Sequence, residues 1–142
     1  MSKNLYFILF YIIHTCLTFN FESNIINLNE TNFQNTINNN KKGILVLFYE
    51  PSCIFSQKFF PKYNKIAKDY KDKINFGVVN GNENSNLTLE LLIDAYPRML
   101  FFINGENYKF SGKRKEKRIK NFIDSCIKKS KSNLKYSKIN KQ

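Results

Sequence analysis

An α/β domain is predicted by this 142-residue sequence, with one mixed sheet covered by helices on both faces and elements in the order β-α-β-α-β-α-β-β-α. Three observations carry that expectation. Ile44 to Tyr49 is an apolar run with no polar alternation, which marks a central strand buried on both sides. Phe55, Phe59, Tyr63, Ile66 and Tyr70 recur at steps of three and four, the stripe of an amphipathic helix. Asn104-Gly-Glu lies between two short apolar segments as a hairpin turn, ahead of a last helical stripe.

The elements follow in order. Ile25 to Leu28 is a short first strand. Asn29 or Thr31 then caps a helix carrying Phe33 and Ile37, which the Asn- and Lys-rich run ends. That run reflects a compositional bias of the sequence and carries no function. After the central strand, a long helix opens at Cys53. Pro61 falls inside it, removes a backbone donor, and predicts a kink. Ile74 to Val79 is the next strand. Gly81 to Asn86 is a turn, with Ser85 capping a helix to about Ile93. Met99 to Ile103 and Tyr108 to Phe110 form the hairpin. Ile119, Phe122, Ile123, Cys126 and Ile127 share one face of the last helix, and Cys126 reads as a small core residue. Residues 130–142 are rich in Lys and Ser with little to bury, a basic, frayed tail. The domain is expected to span 24–129, and no internal repeat is visible.

The first residues have the composition of a targeting segment. Lys3 precedes an almost unbroken apolar stretch from Leu5 to Phe19, about fifteen residues, which suits a secretory leader and falls short of the roughly twenty that span a bilayer. Cys16-Leu-Thr18 places small residues at the −3 and −1 positions of a cleavage after 18, and cleavage as far on as 23 is also consistent. Left uncleaved, the segment is a membrane anchor, the one membrane contact expected. Its removal takes away His14, the only histidine, so a Cys–His pair, a Ser–His–Asp triad and a Cys/His zinc site are excluded. No metal and no cofactor are expected. Cys53 and Cys126 remain, in a compartment that permits disulfides. Asn29-Glu-Thr31 and Asn86-Leu-Thr88 are N-glycosylation sequons.

Charge is concentrated at the C-terminal end. Lys113 to Gln142 holds twelve Lys or Arg and two acids, net +10 of the +12 of the whole chain. A solvated face accounts for this, and an anionic lipid or polyanion is the sharper option. No nucleic-acid partner is expected.

Several segments together resemble a known family. Leu45-Val-Leu-Phe-Tyr-Glu-Pro-Ser-Cys53, Pro61 eight residues after the cysteine, Ala95-Tyr-Pro-Arg-Met-Leu100 and Phe110-Ser-Gly-Lys-Arg114 are similar, in order and spacing, to the redox strand and turn, kinked helix, cis-proline segment and Tyr-x-Gly-x-Arg motif of thioredoxin-fold domains of the protein disulfide isomerase type. The resemblance covers about Ile25 to Lys129 and implies a thioredoxin-like sheet, a cis bond before Pro97, and a groove at Tyr96, Pro97 and Arg98 that binds client segments. Three positions depart from the family. Ser52 replaces its tryptophan, Ser56 its second cysteine, and Leu47 its buried acid. Cys53-Ile-Phe-Ser56 is instead similar to the site of an endoplasmic-reticulum relative that holds clients as mixed disulfides. Monothiol glutaredoxins share Cys-x-Phe-Ser, but Ile54 replaces their glycine, and no Gly-Gly or Cys-Asp element of a glutathione pocket follows.

The chemistry also follows from the residues. The first turn of a helix has unpaired N–H groups and a partial positive charge, so a cysteine there has a stabilised thiolate. Ser56, one turn on, offers a hydroxyl to the sulfur. A thiolate attacks a client disulfide, and without a second thiol the adduct persists. Arg98 either places a cation near the sulfur or points to solvent, while Glu50 acts in the opposite sense. Two readings remain open. Either Cys53 is a nucleophile and Ser56 its non-resolving neighbour, in a protein that isomerises or retains clients bearing thiols or disulfides in the secretory pathway, or the chain is a redox-inactive binding module. The ending Lys-Ile-Asn-Lys-Gln142 is no Lys-Asp-Glu-Leu type signal, so placement in the endoplasmic reticulum rests on the resemblance, and secretion fits as well.

Overall fold

The computed structural model describes residues 20–139, with side chains as far as Leu134. The leader with His14 and Cys16, and residues 140–142, lie outside the described residues. Five strands form one sheet: β1 (Ile25–Leu28), β2 (Ile44–Tyr49), β3 (Asn75–Asn80), β4 (Arg98–Ile103) and β5 (Glu106–Lys109), in the spatial order β1-β3-β2-β4-β5. β1, β3 and β2 run parallel, so their connections carry helices. β4 is antiparallel to β2, and β5 to β4 across the hairpin. The helices are α1 (Phe33–Asn38), α2 (Ile54–Tyr70), α3 (Ser85–Glu90) and α4 (Glu116–Ile139).

All six residues of β2 are buried. Because side chains alternate along a strand, Leu45, Leu47 and Tyr49 pack with Tyr63 and Ile66 of α2 and Ile119 and Ile123 of α4, while Ile44, Val46 and Phe48 pack with Phe33 of α1 and Leu87 of α3. The unalternating run is thus two apolar faces in one strand, and helices cover both sides as expected. The buried hydroxyl of Tyr63 stands 2.8 Å from the Leu45 carbonyl and 2.7 Å from that of Gly77, joining α2 to β2 and β3.

Several local expectations are corrected. Asn32, not Asn29 or Thr31, precedes α1 as its cap residue; Asn29 instead organises the turn before it, its Oδ1 accepting from the N–H groups of Thr31 and Asn32. α3 is short, with Asn84 at its cap position in place of Ser85. The buried Asn84 amide donates to Asn80 O and accepts from Glu30 N–H, which ties this turn to the loop after β1. α3 cannot reach Ile93 because Leu92 takes a left-handed conformation, φ 52°. α2 carries Pro61 inside it, at the position where the kink is expected. Phe55 leaves the apolar stripe, 64% exposed, and Phe60 and Ala67 join it. The first turn of α2 lies level with Glu50, past the end of β2, and Ser56 takes the inward position there.

Both ends of the domain extend beyond the sequence reading. Phe21 packs edge-to-face on Tyr49 and Phe60, with centroids 5.5 and 4.8 Å away, so packing begins before residue 24. α4 runs on through Ile139, where a frayed tail is expected from 130. Ser130 continues the buried face four residues after Cys126, and the Asn104 amide of the hairpin donates to its hydroxyl at 2.7 Å.

Candidate functional site

Cys53 is the N-cap residue of α2, with extended backbone (φ −74°, ψ 114°). Local chain geometry puts it there. Tyr49 ends β2, Cys53 N–H bonds back to Glu50 O at 3.1 Å, and Gln57 N–H bonds to Cys53 O at 3.0 Å to open the helix. The Gln57 amide also donates to Pro51 O, which closes the turn. The sulfur is partly exposed and in its thiol form closes no side-chain capping bond. Its Sγ–H instead faces the carbonyl of Tyr96 at 3.6 Å.

Several influences set the acidity of this thiol. The largest is burial, which pushes it up. The Ser56 N–H, the Ser56 hydroxyl and the Phe55 N–H act against burial and together prevail, so Cys53 lies below its ordinary value. The nearby Glu50 carboxylate pulls it back upward. Ser56 is fully buried, and its Oγ is 3.4 Å from Glu50 N–H, which leaves the hydroxyl hydrogen for the sulfur. Glu50 is held in turn by the Ser52 hydroxyl at 2.6 Å.

Tyr96 and Pro97 stand opposite, joined by a cis peptide bond as expected. Pro97 is buried and Tyr96 partly exposed. The Tyr96 ring lies over Gly81, close enough that a Cβ there would overlap it. Arg98 turns to a carboxylate instead of the sulfur. It pairs with Asp94, which Lys109 also approaches at 3.6 Å, and its side chain is 23% exposed. Leu47 is fully buried in the core beside α2. Cys126 is buried in the same core, and burial raises its thiol to about 11, slightly countered by Lys129. Both are free thiols.

Arg114, named in the sequence only as the end of a motif, proves to touch the groove. Arg114 donates from its guanidinium to Pro97 O at 2.8 Å, and Lys62 donates to Arg114 O at 2.9 Å. Gly112, at φ 98°, supplies the turn that brings Arg114 back. Its signal was the Phe-Ser-Gly-Lys-Arg segment, but a motif does not disclose a contact. Among the described residues no group of His, Cys, Asp or Glu is arranged to hold a metal ion, and no helix is long and apolar enough to cross a membrane.

A parallel and antiparallel sheet in this order, with a partly exposed sulfur at a helix start facing a cis-proline, defines a class. The chain belongs to the thioredoxin family, whose model, described as Thioredoxin, matches residues 24–125. Within it, the likeness is to domains of disulfide isomerases. The chain is 33% identical over 103 residues to Protein disulfide-isomerase 1 of Caenorhabditis elegans, covering 70% of this chain and 21% of that protein. It is 30% identical over 107 residues to Protein disulfide isomerase-like 1-4 of Arabidopsis thaliana, covering 75% and 18%. The solution structure of the first thioredoxin domain of mouse Protein disulfide-isomerase A4 superposes with a TM-score of 0.68 at 27% identity, covering 75% of this chain and 77% of that one. The chain spans about a fifth of the length of the two curated relatives.

Proposed function

We propose that this thioredoxin domain acts through the single thiol of Cys53, forming mixed disulfides with client proteins of the secretory pathway and so retaining them or allowing their disulfides to rearrange. The observation that carries the reading is the sulfur itself: partly exposed, acidified by the first turn of α2, and facing the Tyr96 carbonyl across a groove. The Cys53 thiolate attacks one sulfur of a client disulfide. A bond forms between Cys53 and that sulfur, the client S–S bond breaks, and the other client sulfur leaves as a thiolate that takes up a proton. Ser56 has no sulfur with which to displace the client, so release needs an outside thiol or the client's own. Tyr96 O is placed to accept from the backbone of an extended client segment, with Pro97 and Arg98 bordering it. The apolar leader, the sequons and the likeness to disulfide isomerases support a secretory setting, with the endoplasmic-reticulum lumen the first place to look.

Trapping tests this reading. In cells with an oxidising secretory pathway, wild-type protein is expected to migrate on non-reducing gels as a ladder of adducts that collapses with reductant. Cys53→Ser is expected to abolish the ladder and Cys126→Ser to leave it. Ser56→Cys is expected to thin it, incompletely, because buried Leu47 offers no proton acceptor for the second thiol. A wild type without Cys53-dependent adducts would replace this reading with that of a redox-inactive binding module, for which the upward pull of Glu50 on the thiol is the supporting feature.

A further inference from the structure

The turn from Lys113 to Arg118 holds five cations and one acid, and that acid is already taken. Glu116 is bound by Lys65 at 2.8 Å and by Lys120 at 2.7 Å. Lys113, Arg114, Lys115, Lys117 and Arg118 are all exposed, and among the described residues none forms an ion pair. The turn is also fixed in place. Lys115 N–H bonds to Lys113 O at 2.8 Å, Arg118 N–H to Lys115 O at 3.0 Å, and Lys62 holds Arg114 O. Through Arg114 it is fastened to Pro97 O, next in the chain to the carbonyl that faces the sulfur. An uncompensated positive field therefore borders one side of the groove, within reach of a bound chain at physiological ionic strength, where screening sets in over about 8 Å.

We infer that this turn is a docking surface for acidic client segments, so that the preferred substrate is a disulfide lying a few residues from a run of Asp or Glu. The inference rests on Cys53 being the attacking thiol. Glu50, the acid beside the sulfur, sits on the β2 side and is held by Ser52, so client acids are accommodated toward residues 113–118 and away from the cysteine itself. A protein segment fits better than an anionic membrane for two reasons. The turn has no apolar side chain to enter a bilayer, and the next unpaired basic group along α4, at Lys128, lies about 15 Å further on by helical rise, because Lys120 between them is held by Asp69 and Glu116. Opposite charge at a groove mouth raises association rate more than it holds the complex, so the signature is kinetic and salt-dependent.

The test uses the full chain and peptides whose cysteine is disulfide-bonded to a chromogenic aryl thiol. Cys53 attacks the peptide sulfur, the S–S bond to the aryl group breaks, and the coloured arylthiolate is released. Peptides with acidic, neutral and basic flanks are compared at low and high salt. The acidic peptide is expected to react about tenfold faster than the basic one at low salt, with the advantage lost at high salt. A variant carrying Lys113→Ser, Lys115→Ser, Lys117→Ser and Arg118→Ser, with Arg114 kept, is expected to lose the preference and react normally with the neutral peptide. Equal rates for acidic and basic peptides overturn the inference. So does salt-sensitive binding of wild type to phosphatidylserine vesicles that the variant loses while its peptide preference persists. If no peptide reacts, the thiol reading fails separately. Binding of a cysteine-free acidic peptide, followed by fluorescence anisotropy, then decides: loss of binding in the variant supports the surface, and no binding by wild type overturns it.

Discussion

The Cys53 sulfur stands 3.6 Å from the carbonyl oxygen of Tyr96, a residue 43 positions away in the chain. In the neutral state that carbonyl accepts from the thiol. Once the thiolate forms, the sulfur no longer donates, and the carbonyl loses that donor. In the mechanism proposed above, deprotonation would ready the attacking sulfur and free the acceptor beside it for a client N–H.

The acidity of Cys53 is open to a direct test by alkylation rate against pH. The midpoint is expected below that of an ordinary exposed cysteine, because the first-turn N–H groups and the Ser56 hydroxyl outweigh burial. Glu50→Gln removes a negative charge that disfavours the thiolate, so its midpoint should fall further. Ser56→Ala removes a hydroxyl that favours the thiolate, so its midpoint should rise. A rise in Glu50→Gln or a fall in Ser56→Ala would leave the description of the site wrong.

Gly81 is expected to act on the groove through Tyr96. A methyl group there overlaps the Tyr96 ring and forces it to move. Gly81→Ala should slow reaction with peptide disulfides several-fold and leave alkylation of Cys53 by a small reagent unchanged. Overpacking of this kind costs about 1–3 kcal/mol. Shortening the ring with Tyr96→Ala in the same chain should recover stability and not peptide reactivity.

Tyr63→Phe removes the one hydroxyl that serves the buried Leu45 and Gly77 carbonyls. Losing a buried hydrogen bond of this kind costs about 0.5–1.5 kcal/mol, read as a lower urea midpoint with an unchanged slope. Cys53 alkylation should be unaffected, because Tyr63 lies more than two turns along α2 from the sulfur.

Acid should loosen the junction of α2 and α4. Hydrogen bonds from Lys120 and then Lys65 hold the Glu116 carboxyl down to about 2. A carboxyl lower in the folded than in the unfolded chain contributes stability above its unfolded value, near 4.3, and loses it as pH falls toward about 2. The contribution is small because the pair is near solvent. Glu116→Gln should flatten that part of the stability profile between mildly and strongly acidic pH.

The order of elements, the two-faced central strand, the cysteine at a helix start and the lack of a second thiol three residues later can all be read along the chain. These depend on local period, turn residues and the identity of single side chains, which are written along the chain. The remaining features come from packing between elements. It turned Phe55 outward because the first turn of α2 passes the end of β2, paired Arg98 with Asp94, and carried α4 beyond Lys129 by docking Ser130 on Asn104. It also brought Arg114 to Pro97 and Tyr96 to Cys53. Each of these is a meeting of side chains or backbone groups from different elements. Such meetings depend on how the helices and strands stack, and pattern within one element does not encode that.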